Sequence, residues 1–326
     1  VNRIIKFLTS FVPLEKWHNK QKDELNSKIT EKNFYAEKAC IICGSTDLIK
    51  KSAFFVPFLT KRMFNGKKKK NQLYTCKNCG FSYSSYRPTD EEMAQYYQNY
   101  RGTEYQRQRE ETEPSYTKEF NYMLGYNKVE EENRKKNLYN LLIKNMSNIS
   151  ALKNILDYGG DEGQFIPDEL SFAKRFVYEV SGVKPLEGIY NISEEDLYTQ
   201  HWDLIMCCHV LEHMPNPMDT INILKNLMHK NTYIYIELPY EDYFEEEKYK
   251  LTLAEIIKRP KSTLKKLLKK EKFNYVPIHE HINFFREKTL MNVFNDKQYQ
   301  ILDIGTKEIS YAYGATKIIY CLVQKV

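Results

Sequence analysis

The stretch Ile155-Leu156-Asp157-Tyr158-Gly159-Gly160-Asp161-Glu162-Gly163-Gln164-Phe165 decides the fold. An apolar run ends in a carboxylate, and a glycine-rich turn follows at once. Glycines in such a turn admit positive φ and let the backbone approach a ligand closely. The pattern predicts a strand over 154–158, a turn, and then a helix, with a ligand at the carboxyl end of the strand. Outward from it, short apolar runs alternate with helical spacing, the signature of a parallel sheet built from βα units. Strands are expected over 175–180, 203–208 and 232–238, and helices over 218–230 and 286–295. Residues 115–150 read as a helix leading into the first strand. Residues 299–304 and 316–323 suit a closing antiparallel pair.

The chain has 326 residues, enough for one full α/β domain and an accessory piece. A hydrophobic fraction of 42% supports a core, and a net charge of +6 is mild. That balance suits an anionic small substrate and does not call for nucleic acid. The basic residues are not interleaved with an aromatic reading surface, so no nucleic-acid partner is expected. No secretory leader or membrane-length apolar run is apparent, which points to a cytoplasmic setting. In a reducing compartment, paired cysteines hold metal more often than they form disulfides.

Two such pairs stand near the front, Cys40-Ile41-Ile42-Cys43-Gly44 and Cys76-Lys77-Asn78-Cys79-Gly80. Two intervening residues let both sulfurs reach one tetrahedral ion, and the glycine relieves crowding where amides turn toward the thiolates. Four thiolates fill a zinc shell, so the metal is expected to be structural. Residues 44–75 make a long insert, expected to be an exposed hairpin carrying Lys67–Lys70. Cys207, Cys208 and Cys321 lie in strand-like runs and read as core.

Beyond the glycine turn, Phe176-Val177-Tyr178-Glu179 ends in a carboxylate about twenty residues on, where a ribose diol is usually gripped. Then come Trp202-Asp203-Leu204-Ile205-Met206-Cys207-Cys208-His209-Val210-Leu211-Glu212-His213-Met214-Pro215 and Tyr233-Ile234-Tyr235-Ile236-Glu237-Leu238-Pro239. In this order the segments resemble class I methyltransferases, whose motifs read LDxGxGxGxF, FDxIxxxxVLEHxxxP and ExP. The resemblance covers roughly residues 154–305. It implies S-adenosylmethionine held by Asp157, Gly159, Gly160, Asp161, Gly163 and Glu179, with Glu195 and Asp196 beside the adenine and His209 beside the ligand. The family's middle glycine is Asp161 here, whose side chain is expected to crowd the methionine end or oppose its carboxylate. The paired cysteines, followed by Arg87-Pro88 and Tyr96-Tyr97-Gln98-Asn99-Tyr100, look like the zinc-binding front part of methyltransferases that act on nucleotide-linked sugars. The tyrosine segment is then expected to lean over the substrate; the alternative is a plain surface helix.

Methyl transfer to a hydroxyl needs a group to take its proton. Pro277-Ile278-His279-Glu280-His281 supplies the best candidates. His281 with Glu280 resembles the Glu-His pair of deoxysugar C-methyltransferases, and His213 matches a further active-site histidine there. A carboxylate beside the imidazole is expected to raise its pKa and fix its tautomer. The expected domains are a basic helical segment 1–38, a zinc module 39–110, and a methyltransferase domain 111–326 with an insertion at 241–276. Within the insertion, Leu264, Leu267 and Leu268 share a helical face amid lysines, which reads as a solvated helix; a lid, a partner surface and a patch for anionic lipid are the alternatives. Ile4 to His18 is similar to leaders of capsule and lipopolysaccharide biosynthesis proteins. The resulting expectation is a methyltransferase for a sugar hydroxyl on a nucleotide-linked or surface-polysaccharide glycan. C-methylation of a keto-deoxysugar and a binding protein without turnover are the alternatives. No motif speaks to oligomeric state.

Overall fold

The computed structural model describes residues 39–100, 102–113, 116–241, 275–311 and 314–326. The basic segment 1–38 and the leucine-bearing helix expected near 258–272 lie outside the described residues.

The larger sheet has seven strands in the order β11-β12-β8-β7-β4-β5-β6. Its first strand in the chain, β4 (Asn154–Tyr158), is central, and its apolar residues are buried. It pairs in parallel with β5 (Lys174–Tyr178) and with β7 (Leu204–Cys208). β6 (Ile189–Asn191) extends one side and β8 (Tyr233–Pro239) the other, both in parallel. β12 (Gly314–Lys325) runs antiparallel to β8, and β11 (Tyr299–Tyr311) antiparallel to β12. The expected closing pair is therefore present and longer than its apolar runs alone indicated. Strand order reverses between β4 and β7, and ligands of open α/β sheets bind outside the strand ends at such a switch point.

One expectation fails at this switch point. The glycine turn does not open into a helix. Residues 161–165 form turns, followed by a 3-10 turn at Asp168–Leu170. Pro167 offers no amide and biases the residue before it toward extended backbone, and the chain must rejoin the sheet at Lys174. The helix ahead of β4 is likewise two helices, α4 (Lys118–Tyr126) and α5 (Lys128–Asn145), with Asn127 capping the second. α5 buries Leu138, Leu141 and Leu142 in the core. The short α6 (Glu194–Leu197) follows β6, α7 (Pro217–Leu227) links β7 to β8, and α8 (Glu287–Val293) precedes β11.

The smaller sheet, β10-β3-β2-β1-β9, belongs to the cysteine module. β1 (Leu48–Phe55) and β2 (Asn71–Cys76) are antiparallel, as the long insert led one to expect, but they are not exposed: both lie inside the sheet, and Leu73, Phe58 and Leu59 of the insert are buried in its core. The connection between them carries a helix, α1 (Pro57–Phe64), before the exposed Lys67 and Lys68. β3 (Ser82–Ser84) follows the second cysteine pair. The outer strands, β9 (Tyr275–Ile278) and β10 (Asn283–Phe284), come from much later in the chain. α2 (Asp90–Tyr97), with a Thr89–Glu92 capping box, and α3 (Thr103–Thr112) pack beside this sheet. Cys40, Cys79, Phe81 and Tyr83 share one buried cluster with Leu156, Ile205 and Ile236 of the larger sheet. The edge of Phe81 meets Phe285 at 4.9 Å, and the Thr289 hydroxyl donates to the Cys79 carbonyl. Among the described residues, no helix is long and apolar enough to cross a membrane.

Candidate functional site

The Asp157–Gly163 turn sits at the carboxyl end of β4, beside the switch point. Gly159 has φ +72° and donates its amide to the Tyr178 carbonyl at 2.8 Å. A Cβ on Gly160 would lie 2.3 Å from the Asp157 Cγ, so no side chain fits there. Asp157 is fully buried, and neither carboxylate oxygen has a hydrogen-bond partner among the described residues. Burial pushes its pKa up to about 7. An orphaned buried carboxylate beneath a glycine cradle suits a ligand with a positively charged nitrogen, and so meets the chemistry of an amino-acid cofactor end.

Asp161 stands at the surface of this cradle. It adopts φ +54° in the left-handed region, where aspartate is among the better tolerated residues, and its side chain is exposed. Its amide donates to Glu179 Oε2 at 3.2 Å. Glu179 lies just past β5, and its Oε1 accepts from the amides of Val180 and Ser181. The acid thus pins the glycine turn to the end of the neighbouring strand. Glu195 and Asp196 are exposed on α6, where Asp196 is tied to Ser193, the residue capping that helix.

A chain of charged side chains crosses the ends of β7 and β8. His209 follows β7 with φ +57°. Its Nε2 lies 3.4 Å from Glu237 and its Nδ1 3.4 Å from Glu212. Glu237 is buried, accepts from Tyr235, and pairs with Arg134 at 2.5 Å. Burial alone would raise its pKa, but Arg134 holds it down at about 2. Arg134 lies over the Phe165 ring, and with Cys208 these residues line a narrow cleft.

Further along, His213 and His281 meet edge to face at 4.8 Å. His213 Nδ1 is 3.2 Å from the Glu280 carbonyl, which can only accept, so Nδ1 carries the proton in the neutral ring. Burial lowers the pKa of His213. His281 Nδ1 is 2.9 Å from the Glu241 carboxylate. Burial disfavours its cation, yet Glu241 and the neighbouring acids outweigh that and raise it to about 9. The acid paired with His281 is therefore Glu241, and not the adjacent Glu280. The Glu280 carboxylate instead accepts from Tyr96 and, at 3.5 Å, from Tyr100, with Arg109 at 3.7 Å. Burial opposes its charge, but Arg109 leads the groups that hold it at about 2. The tyrosine segment thus reaches Glu280 and is not a plain surface helix.

Arg87 locks the two sheets together here. Its Nε donates to the Pro215 carbonyl, and its Nη2 to the Met214 carbonyl and Asn283 Oδ1. Asn283 in turn donates to the carbonyls of Leu211 and Met214. Arg109, Arg134, Glu212 and Glu241 were not singled out from the sequence. They are ordinary charged residues until the fold buries them, although Glu212 lies inside a quoted motif. The four expected cysteines do come together. Cys40 and Cys79 sulfurs are 3.6 Å apart, Cys43 and Cys76 sulfurs 3.5 Å, and all four lie within 4.8 Å of one another. A zinc tetrahedron with about 2.3 Å bonds has edges of about 3.8 Å, so the cluster fits that ion. Gly44 and Gly80 both take positive φ behind the knuckles.

Comparison with known proteins adds to this geometry. No curated protein matches the chain. Solved structures with a similar arrangement include the magnesium protoporphyrin IX methyltransferase of Synechocystis PCC 6803 with bound SAH, at 14% identity. It covers 60% of this chain and 84% of its own, with a TM-score of 0.36. The N-methyltransferase NodS of Bradyrhizobium japonicum WM9 is 14% identical, covering 60% and 96%, with a TM-score of 0.36. The 1,6-didemethyltoxoflavin-N1-methyltransferase of Burkholderia thailandensis is 9% identical, covering 60% and 79%, with a TM-score of 0.39. Residues 105–304 match the family described as "Methyltransferase domain". That match spans well over half of the chain and takes in the glycine turn, the switch point and both histidines, so the chain belongs to the methyltransferase domain family.

Proposed function

We propose that this methyltransferase uses S-adenosylmethionine to methylate a sugar hydroxyl, on a nucleotide-linked or surface-polysaccharide glycan in the cytoplasm. One observation carries the reading: past Val210, which abuts Gly159 of the cradle and accepts from the His213 amide, hydroxyls and charges gather, namely Tyr96, Tyr100, Glu280, His213 and His281. Such a group can hydrogen-bond a polyhydroxylated acceptor at many points and offers little to an apolar one. Gly159, Gly160 and Gly163 would receive the cofactor closely, Asp157 would face its ammonium, and Glu179 would hold the ribose edge of the turn. Asp161, Glu195, Asp196 and His209 would line the remaining cofactor surface. When bound, the cofactor supplies an electrophilic methyl carbon on a sulfonium. The acceptor must then lie in line with that carbon while water is excluded. His281, Glu280 and His213 are the residues we assign to the acceptor end. His213, kept neutral by burial, and His281, whose proton is held beside Glu241, face the acceptor end, and Glu280 anchors Tyr96 and Tyr100 there. Cys40, Cys43, Cys76 and Cys79 would hold structural Zn²⁺, leaving no open position on that ion.

The test is incubation with methyl-¹³C-labelled S-adenosylmethionine and a panel of nucleotide sugars, followed by NMR. An O-methyl resonance supports the reading. Label on carbon favours the keto-sugar alternative. Folded protein that binds the cofactor yet methylates none of the panel counts against a sugar acceptor.

A further inference from the structure

We infer that Glu212, His213 and His281 form a divalent-cation site, separate from the cysteine cluster, that chelates the acceptor through neighbouring oxygens. One ligand atom from each residue lies within 4.8 Å of the others. Glu212 is 1% exposed, and neither of its carboxylate oxygens accepts a hydrogen bond from the described residues. A buried carboxylate without a donor is costly unless a cation meets it. Its near neighbours are imidazole nitrogens, His209 Nδ1 at 3.4 Å and His213 Nε2 at 3.9 Å.

The two histidines are oriented as metal ligands are. A ligating histidine usually gives its other N–H to a carbonyl or carboxylate, which fixes the ring and strengthens the donor nitrogen. Here His213 has the Glu280 carbonyl at Nδ1, and His281 has the Glu241 carboxylate at Nδ1. Each ring keeps Nε2 for an ion. The scaffold beneath is tight. The amides of Ile282 and Asn283 both donate to the Glu212 carbonyl, and Arg87 and Asn283 clamp the Leu211–Pro215 turn. Glu212 and Glu241 also bring negative charge to the two rings.

Two nitrogens and one carboxylate suit a borderline ion such as Zn²⁺, Co²⁺, Mn²⁺ or Fe²⁺. Three protein ligands leave positions open, and the imidazoles keep 17% and 23% side-chain exposure, so the ion remains in reach of solvent and substrate. A vicinal pair of sugar hydroxyls would occupy those positions. The role of the ion rests on the proposed sugar acceptor, while the site itself does not.

The test uses the full chain with one equivalent of zinc already bound. Co²⁺ and, separately, Mn²⁺ are added alone and followed by visible absorption and EPR. We expect one further equivalent of ion per chain, with weak cobalt d–d bands and no sulfur-to-cobalt charge transfer. Glu212→Gln and His281→Gln should each weaken it by about 100-fold or more, above the usual cost of losing an outer-shell partner. Calorimetry with S-adenosylmethionine on the same variants confirms that fold and cradle persist. Failure of both ions to bind, cobalt appearing only on thiolates, or binding indifferent to both substitutions overturns the site. Sugar methylation that continues undiminished without the second ion would refute the chelating role and leave the sugar reading standing. A bound second ion without sugar methylation would refute the sugar reading instead.

Discussion

Replacing Asp157 by Asn gives a quantitative test of the cradle. Asp157 is fully buried with both oxygens unpartnered among the described residues, and its pKa is raised from 3.8 to about 7. The fold therefore holds this proton more tightly than the unfolded chain does. Stability falls as pH rises above the unfolded value, and the fall levels off above the folded one. A shift of about three units at about 1.4 kcal/mol each sets a ceiling of about 4 kcal/mol. About 3 kcal/mol of that cost is already incurred at pH 6, so about 1 kcal/mol more is lost by pH 8. In urea unfolding without cofactor, wild type should lose that increment between pH 6 and 8 relative to Asp157→Asn. A cationic ligand on Asp157 should flatten the difference, and the variant should bind S-adenosylmethionine more weakly. Equal pH dependence of the two proteins would refute the argument that this carboxylate is strained by burial and awaits a cation.

Other substitutions probe the remaining links. Arg134→Met should cost about 3–5 kcal/mol in urea unfolding, because Glu237 is left buried without its partner; adding Glu237→Gln should recover part of that loss. Tyr96→Phe removes one donor from Glu280 and should cost about 1–3 kcal/mol. It should also lower kcat/KM for the acceptor while leaving cofactor affinity by calorimetry unchanged. Stripping the cysteine-bound metal should raise hydrogen exchange in β1, β2 and β3 and also in β10, with acceptor turnover falling before cofactor binding does.

What could be read beforehand was whatever depends on spacing along the chain. The cysteine knuckles, the glycine turn and the alternation of strands each encode a local requirement, so Cys40 to Cys79 and Asp157 to Gly163 stand out in one dimension. The helix after the turn misled because the strand and glycine-turn pattern that suggests it competes with Pro167 and a short return to Lys174. The pairings at the site were illegible for a different reason. Glu241 and His281 are brought together by the strand order and by the clamp at Arg87. Nothing adjacent to either residue distinguishes His281–Glu241 from the neighbouring His281–Glu280. Arg109 and Arg134 look like surface arginines on polar helices until packing encloses them.

The parentage of β9 and β10 has a practical consequence. The front sheet is bordered on both sides by strands translated about 240 residues after its first cysteine. A fragment cut after α3 would expose two bare hydrogen-bonding edges and invite edge-to-edge association. The reciprocal fragment, starting after the cysteines, would keep the glycine turn but lose the partners that seat His281. Neither half is a portable part, so swapping the front piece between relatives to change acceptor choice should fail unless residues 275–284 travel with it.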